Sequence, residues 1–143
     1  MSHKHHKPAQ AKELLDSKEG WVCLDVRSVE EFALGHATGA FNIPIMHRGP
    51  SGMSPNPDFT AVVTKCFPKD AKLVVGCASG MRSVRACEAL ASAGYKHLVN
   101  MEGGFMGGQD EAGRAIPGWA SCGLPVEKTA PPERTYAGLR QKA

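Results

Sequence analysis

Two apolar runs stand out along the chain, Trp21-Val22-Cys23-Leu24-Asp25-Val26 and Leu73-Val74-Val75-Gly76. Each is nearly continuous rather than alternating, as in a strand covered on both faces. Segments with helical spacing lie between and around them. Pro8 to Lys18 sets Ala11, Leu14 and Leu15 toward one side and predicts a first helix. Ser28-Val29-Glu30-Glu31 has the Ser-x-x-Glu form of a capping box, with Phe32 as the apolar anchor that follows. Ala40-Phe41-Asn42-Ile43 predicts a strand stopped by Pro44. Phe59 to Phe67 returns to helical spacing and ends before Pro68. An alanine-rich segment from Val84 predicts a helix to Ala93, with Gly94 as its stop. His97 to Asn100 predicts one more strand.

The remaining stretches read as connections. Met46 to Pro57 is rich in Gly, Pro and Ser and predicts an exposed loop. Gly103 to Pro117 is glycine-rich and predicts mostly loop, and Trp119 falls in a short helical turn before Gly123 and Pro125. Residues 1–7 are expected to be a flexible N-terminal tail, 8–126 a single domain and 127–143 a mobile polar C-terminal tail. Short apolar strands alternating with helices predict an α/β fold with a central parallel sheet flanked by helices. Ligands of such sheets bind beyond the carboxyl ends of the strands.

Composition narrows the function. The 143 residues fit one domain, and 42% apolar with 22% charged residues support a packed core. A net charge of +3 is too small and dispersed for a nucleic-acid partner, though it would not repel a small anion. No apolar run nears the roughly 20 residues of a membrane span, so no membrane partner is expected. The N-terminus lacks the apolar stretch of a secretory signal. Five scattered cysteines without a Cys-x-x-Cys pair argue against a disulfide framework or a structural zinc site. A reducing cytoplasm is the expected location. His3, His5 and His6 are read as part of a solvated tail rather than a metal site.

The candidate chemistry is concentrated in Cys77-Ala78-Ser79-Gly80-Met81-Arg82-Ser83, between a predicted strand and a predicted helix. Backbone N–H groups at a helix start and its positive dipole end favour a thiolate, the nucleophilic form of cysteine. Gly80 permits a sharp turn, and Ser83 can cap the helix or donate to the loop. Four residues separate Cys77 from Arg82. Loops of the tyrosine-phosphatase type hold one more, which widens the ring for a tetrahedral phosphate. The shorter ring suits a single outer sulfur, a persulfide on Cys77, solvated by converging amides.

Other polar residues receive plainer roles. Asp25 and Arg27 predict a buried ion pair or a cap on the next helix. Cys23, Cys66 and Cys87 are expected to be core. Cys122 is expected to be exposed. His47 and Arg48 would attract an anion if their loop borders the mouth of the site.

With these residues in view, the chain resembles the rhodanese family of single-domain sulfurtransferases. Leu24-Asp25-Val26-Arg27, Glu30-Glu31-Phe32, Gly35-His36-Ala37, Gly39-Ala40 and Asn42-Ile43-Pro44 resemble its N-terminal signature. Cys77 to Ser83 resembles its active-site loop. Gly103-Gly104-Phe105, Trp119 and Gly123-Leu124-Pro125-Val126 resemble its C-terminal signature. The same pattern implies a structural hydrogen bond for His36 rather than a role as base. Met106 to Pro117 departs from the pattern as an insertion. The resemblance implies a rhodanese-like three-layer domain and a thiosulfate sulfurtransferase in which Cys77 carries sulfane sulfur as a persulfide. Ala78, Ser79, Gly80, Met81, Arg82 and Ser83 would bind a small anionic sulfur donor, with cyanide or a thiol as acceptor and no metal or organic cofactor. Two alternatives stay open: a non-catalytic persulfide carrier or redox sensor serving an acceptor protein, and a phosphatase or arsenate reductase on the same fold.

Overall fold

The computed structural model describes residues 4–78, 81–109 and 112–142. Its centre is an all-parallel five-stranded sheet in the order β1 (Lys4–His6), β8 (His97–Met101), β7 (Lys72–Gly76), β2 (Trp21–Asp25) and β4 (Phe41–Asn42). The two apolar runs are the adjacent strands β2 and β7, registered from Trp21 against Lys72 to Asp25 against Gly76. Both faces of these strands are covered, which accounts for their unbroken apolar pattern.

One face carries α3 (Phe59–Cys66), α4 (Met81–Ser92) and α5 (Tyr136–Lys142), packed on Leu24, Leu73, Val75 and Leu98. The other carries α1 (Pro8–Asp16) and α2 (Val29–Leu34), with Ala11, Phe32 and Trp119 packed on Cys23, Val74 and Val99. Helices over both faces make the three-layer α/β architecture. The capping box forms as its spacing requires: Ser28 Oγ accepts from the Glu31 N–H at 3.2 Å, and the Glu31 carboxylate accepts from the Ser28 N–H at 3.2 Å.

Several connections are more ordered than their composition suggests. Met46 to Pro57 is exposed over positions 48–55, as expected, but it buries Asn56 and holds the antiparallel hairpin β5 (Met46–Gly49) and β6 (Gly52–Pro55). Inside the insertion, β9 (Gly108–Gln109) pairs with β10 (Ala115–Ile116). The insertion leaves Trp119 fixed in the core, 1% exposed, its Nε1–H donating to the Pro125 carbonyl at 2.7 Å.

Neither terminal segment is the tail the sequence suggests. Lys4–His6 lengthens the central sheet by pairing with Val99 to Met101. From residue 126 onward, β11 (Val126–Glu127) pairs with β3 (His36–Ala37). A 3-10 turn at Pro132–Arg134 then leads into α5, which buries Tyr136 and Leu139 in the core. Polar strands and short helices of this kind are fixed by what they pack against rather than by their own pattern.

Candidate active site

Cys77 follows the last residue of β7, between its neighbours β2 and β8. It therefore sits past the carboxyl ends of the central strands, where parallel sheets place ligands. Its carbonyl accepts from the Phe105 N–H at 2.7 Å, and the Ala78 carbonyl accepts from the Met106 N–H at 2.8 Å. Because a trans peptide aims its C=O and N–H in opposite directions, the Ala78 N–H points away from the 103–106 turn. This backbone contact depends on Gly104, which has φ +56. A Cβ there would lie 2.2 Å from the Cys77 carbonyl oxygen.

The side chain of Cys77 is buried, with the residue 1% exposed. Its Sγ donates to Ser83 Oγ at 3.4 Å. Ser83, on the first turn of α4, donates in turn to Asn100 Oδ1 on β8. Asn100 Nδ2 then meets His5 Nδ1 on β1 at 3.1 Å. Cys77, Ser83 and Asn100 thus form a polar line through otherwise apolar packing.

Arg82 takes a different direction. Its two terminal nitrogens grip the two oxygens of Glu31 at 2.7 and 2.9 Å. The guanidinium holds the Glu31 carboxyl down to about 2, against the upward push of partial burial. The same hydrogen bonding raises Arg82 further above its ordinary value, with a smaller push in that direction from nearby Cys77. Glu31 and Arg82 form one wall of a shallow cleft whose other wall is Arg48, Gly52 and Met53 of the β5–β6 hairpin. Arg48 therefore does border this cleft, whereas the His47 ring lies 5.8 Å from that of Tyr136.

Of the predicted site residues, Cys77 and Ser83 are brought into contact, and Arg82 is directed to Glu31. Ala78 anchors the turn through its carbonyl, and Met81 is 72% exposed at the start of α4. Ser79 and Gly80 lie outside the described residues. The sequence did not reveal Glu31, Asn100 or His5 as neighbours of the site. The capping box was the visible signal at Glu31, but its second bond, to Arg82, spans 51 positions.

The remaining polar residues are architectural. Arg27 is 3% exposed and clasps Asp25 through Nε and a terminal nitrogen at 2.8–3.1 Å. His36 is stacked on Phe32 and hydrogen-bonded to the Phe32 carbonyl and Glu127. Burial pushes the thiols of Cys23 and Cys87 up to about 12, which keeps them protonated and inert. Cys122 is exposed. No group of three or more metal-ligating side chains occurs among the described residues, and His5 is engaged in the sheet rather than in a solvated tail. No helix among them is long and apolar enough to cross a membrane.

Comparison with known proteins agrees with this geometry. The model of the rhodanese-like domain family matches residues 7–111. The chain is 43% identical over 104 residues to thiosulfate sulfurtransferase 16, chloroplastic, of Arabidopsis thaliana, covering 73% of this chain and 78% of that protein. It is 36% identical over 118 residues to rhodanese-like domain-containing protein 15, chloroplastic, of the same plant, covering 82% of this chain and 58% of the relative. Among solved structures it resembles Rv0390 from M. tuberculosis, with a TM-score of 0.74 and 26% identity over 90% of this chain and all of that one. A parallel sheet with a cysteine turn at its carboxyl edge, together with a family match over most of the chain, places this protein in the rhodanese-like domain family.

Proposed function

We propose that this chain is a sulfurtransferase that moves sulfane sulfur from thiosulfate, or a related small anionic donor, to a thiophilic acceptor through a persulfide on Cys77. The observation that carries this reading is the position of Cys77, beyond central strand β7 and ahead of the 12-residue helix α4. Its turn is held from behind by the Phe105 and Met106 amides. The positive end of α4 and the charge of Arg82 both favour an anionic sulfur there.

The steps balance as two displacements. The Cys77 thiolate attacks the outer sulfur of thiosulfate, the sulfur–sulfur bond of the donor breaks and sulfite departs. The outer sulfur remains on Cys77 as a negatively charged persulfide. Cyanide, or a thiolate, attacks that sulfur, and the thiocyanate or new persulfide leaves as the Cys77 thiolate re-forms. No group beyond the two substrates is consumed. Arg48 and Arg82 together outweigh Glu31 in the cleft and give it an excess positive charge for an approaching donor. Five unbridged cysteines suit reducing surroundings.

The burial of Cys77 and the commitment of Arg82 to Glu31 favour a second reading, a carrier that holds the same persulfide but turns over slowly and delivers it to a partner protein. Thiocyanate formation from thiosulfate and cyanide separates the two, with intact mass read alongside. A sulfurtransferase gains one sulfur atom on Cys77 and turns over, whereas a carrier gains the sulfur only. Cys77→Ser is expected to abolish both signals, and a Cys77→Ser protein that kept full activity would remove Cys77 from the mechanism.

A further inference from the structure

The line from Cys77 through Ser83 and Asn100 to His5 has a direction. A serine hydroxyl has one proton to give, and Asn100 Oδ1 can only accept. Ser83 therefore turns its proton to Asn100 and its lone pairs to Cys77, whose Sγ must itself be the donor. At the other end of Asn100, Nδ2 donates to His5 Nδ1, which makes that ring nitrogen the unprotonated one. All three bonds run the same way, and they fit a protonated thiol. The proposed chemistry requires the opposite. A thiolate, and the persulfide after it, is an anion that must accept hydrogen bonds rather than make them.

We propose that Asn100, held by His5, is a positioning residue that sets whether Ser83 accepts from or donates to the Cys77 sulfur, and that this hydrogen-bond line reverses each time the sulfur becomes charged. The inference rests on the persulfide reading. In the reversed state Ser83 donates to the sulfur anion. The Asn100 amide turns over, so that Nδ2 donates to Ser83 Oγ and Oδ1 accepts from His5 Nδ1–H. The proton lost by Cys77 goes to water. His5 exchanges its Nε2 proton for one on Nδ1, a tautomer change with no net proton gain, and its place on the exposed edge strand gives it access to solvent for that exchange. An amide is suited to this position because it can present either a donor or an acceptor to Ser83, whereas a carboxylate can present only an acceptor.

The test is the pH dependence of Cys77 alkylation by iodoacetamide, with the labelled site identified by mass. Asn100→Leu removes the acceptor that holds the Ser83 proton. The alkylation midpoint is expected to fall by about one pH unit, making labelling about tenfold faster below the midpoint, the effect of one hydrogen bond to a charged group. Asn100→Asp locks the observed direction and is expected to raise the midpoint by at least as much. If the buried substitutions unfold the protein, His5 on the exposed edge decides the matter. His5→Glu offers only an acceptor and His5→Lys only donors. In about 1 M salt, where exposed charges are screened beyond roughly 3 Å, the midpoint is expected to be higher for Glu than for Lys. An Asn100→Leu midpoint that stays put or rises overturns the inference, as do equal midpoints for the two His5 variants. An unaltered chain whose Cys77 takes neither label nor sulfur overturns the persulfide reading itself, so the two failures are distinct.

Discussion

The turn from β2 into α2 and the turn from β7 into α4 begin on adjacent parallel strands and end at helix starts, yet they use their polar atoms differently. The first pairs its two charged side chains with each other and borrows only neutral groups from outside. Asp25 accepts from the backbone N–H and the guanidinium of Arg27, and Asn42 Nδ2 donates to the carbonyls of Asp25 and Arg27. Ser28 then caps the helix. The second is held by other segments. Phe105 and Met106 bind its carbonyls, Asn100 receives the proton of Ser83, and Glu31 takes Arg82. The two arginines mark the contrast. Arg27 lies in the interior with a partner from its own turn and the Phe105 ring 4.4 Å away, while Arg82 lines a cleft with a partner from a different helix. A turn whose charged pair is internal is a brace. A turn whose partners come from elsewhere can exchange them when a ligand arrives.

The contrast can be broken most directly at Arg27. Arg27→Met leaves the Asp25 carboxylate buried without its cation and is expected to lose about 3–5 kcal/mol of stability in urea unfolding. A loss under about 1 kcal/mol would mean that the first turn is not the brace described. Gly104→Ala comes next. Its new methyl would meet the Cys77 carbonyl, so the backbone contact must open, at about 3 kcal/mol. The folded fraction should also lose most of its capacity to take sulfur from thiosulfate, measured by intact mass. A normally loaded Gly104→Ala protein would show that the second turn does not depend on the 103–106 segment.

Smaller effects sharpen the comparison. Glu31→Gln frees Arg82 and is expected to cost ~1 kcal/mol at neutral pH, as a partly exposed pair should. The Glu31 carboxyl titrates at about 2 in the fold against an ordinary 4.5. Its contribution is therefore complete above 4.5 and is lost as the pH falls toward 2. The stability difference between wild type and Glu31→Gln should shrink over that window, and a difference that grew on acidification would contradict the assignment. Least in size, Arg48→Ala should raise the KM for thiosulfate a few-fold with kcat unchanged, because its charge draws the donor without touching the sulfur. An unchanged KM would remove the hairpin from donor recognition.

Much of this was legible where one short segment carries the whole physical reason. The runs that became β2 and β7 showed their double burial, Ser28 to Glu31 showed a helix start, and the Cys77 segment showed a turn between a strand end and a helix. The Asp25–Arg27 pair was also readable, and the family resemblance implied the structural role of His36. What stayed hidden was tertiary. Lys4–His6 has no strand pattern and becomes one by registering with β8. Tyr136 and Leu139 are two apolar positions in a polar stretch, and only the face they cover makes them core. Asn100 looked like the polar end of a strand, and nothing near it in the chain points to Ser83 or His5.

The C-terminal segment bears on where this domain can be cut. The family match stops at residue 111, yet Tyr136 and Leu139 close the core beside Phe59 and Val63, the Tyr136 hydroxyl accepts from Asn56, and Arg134 fastens onto the Ala40 carbonyl. Recombinant versions trimmed to the homologous region would strip a wall from the interior and present its greasy side to solvent, so poor yield or clumping of such fragments would reflect a misplaced boundary and not a defective reaction centre.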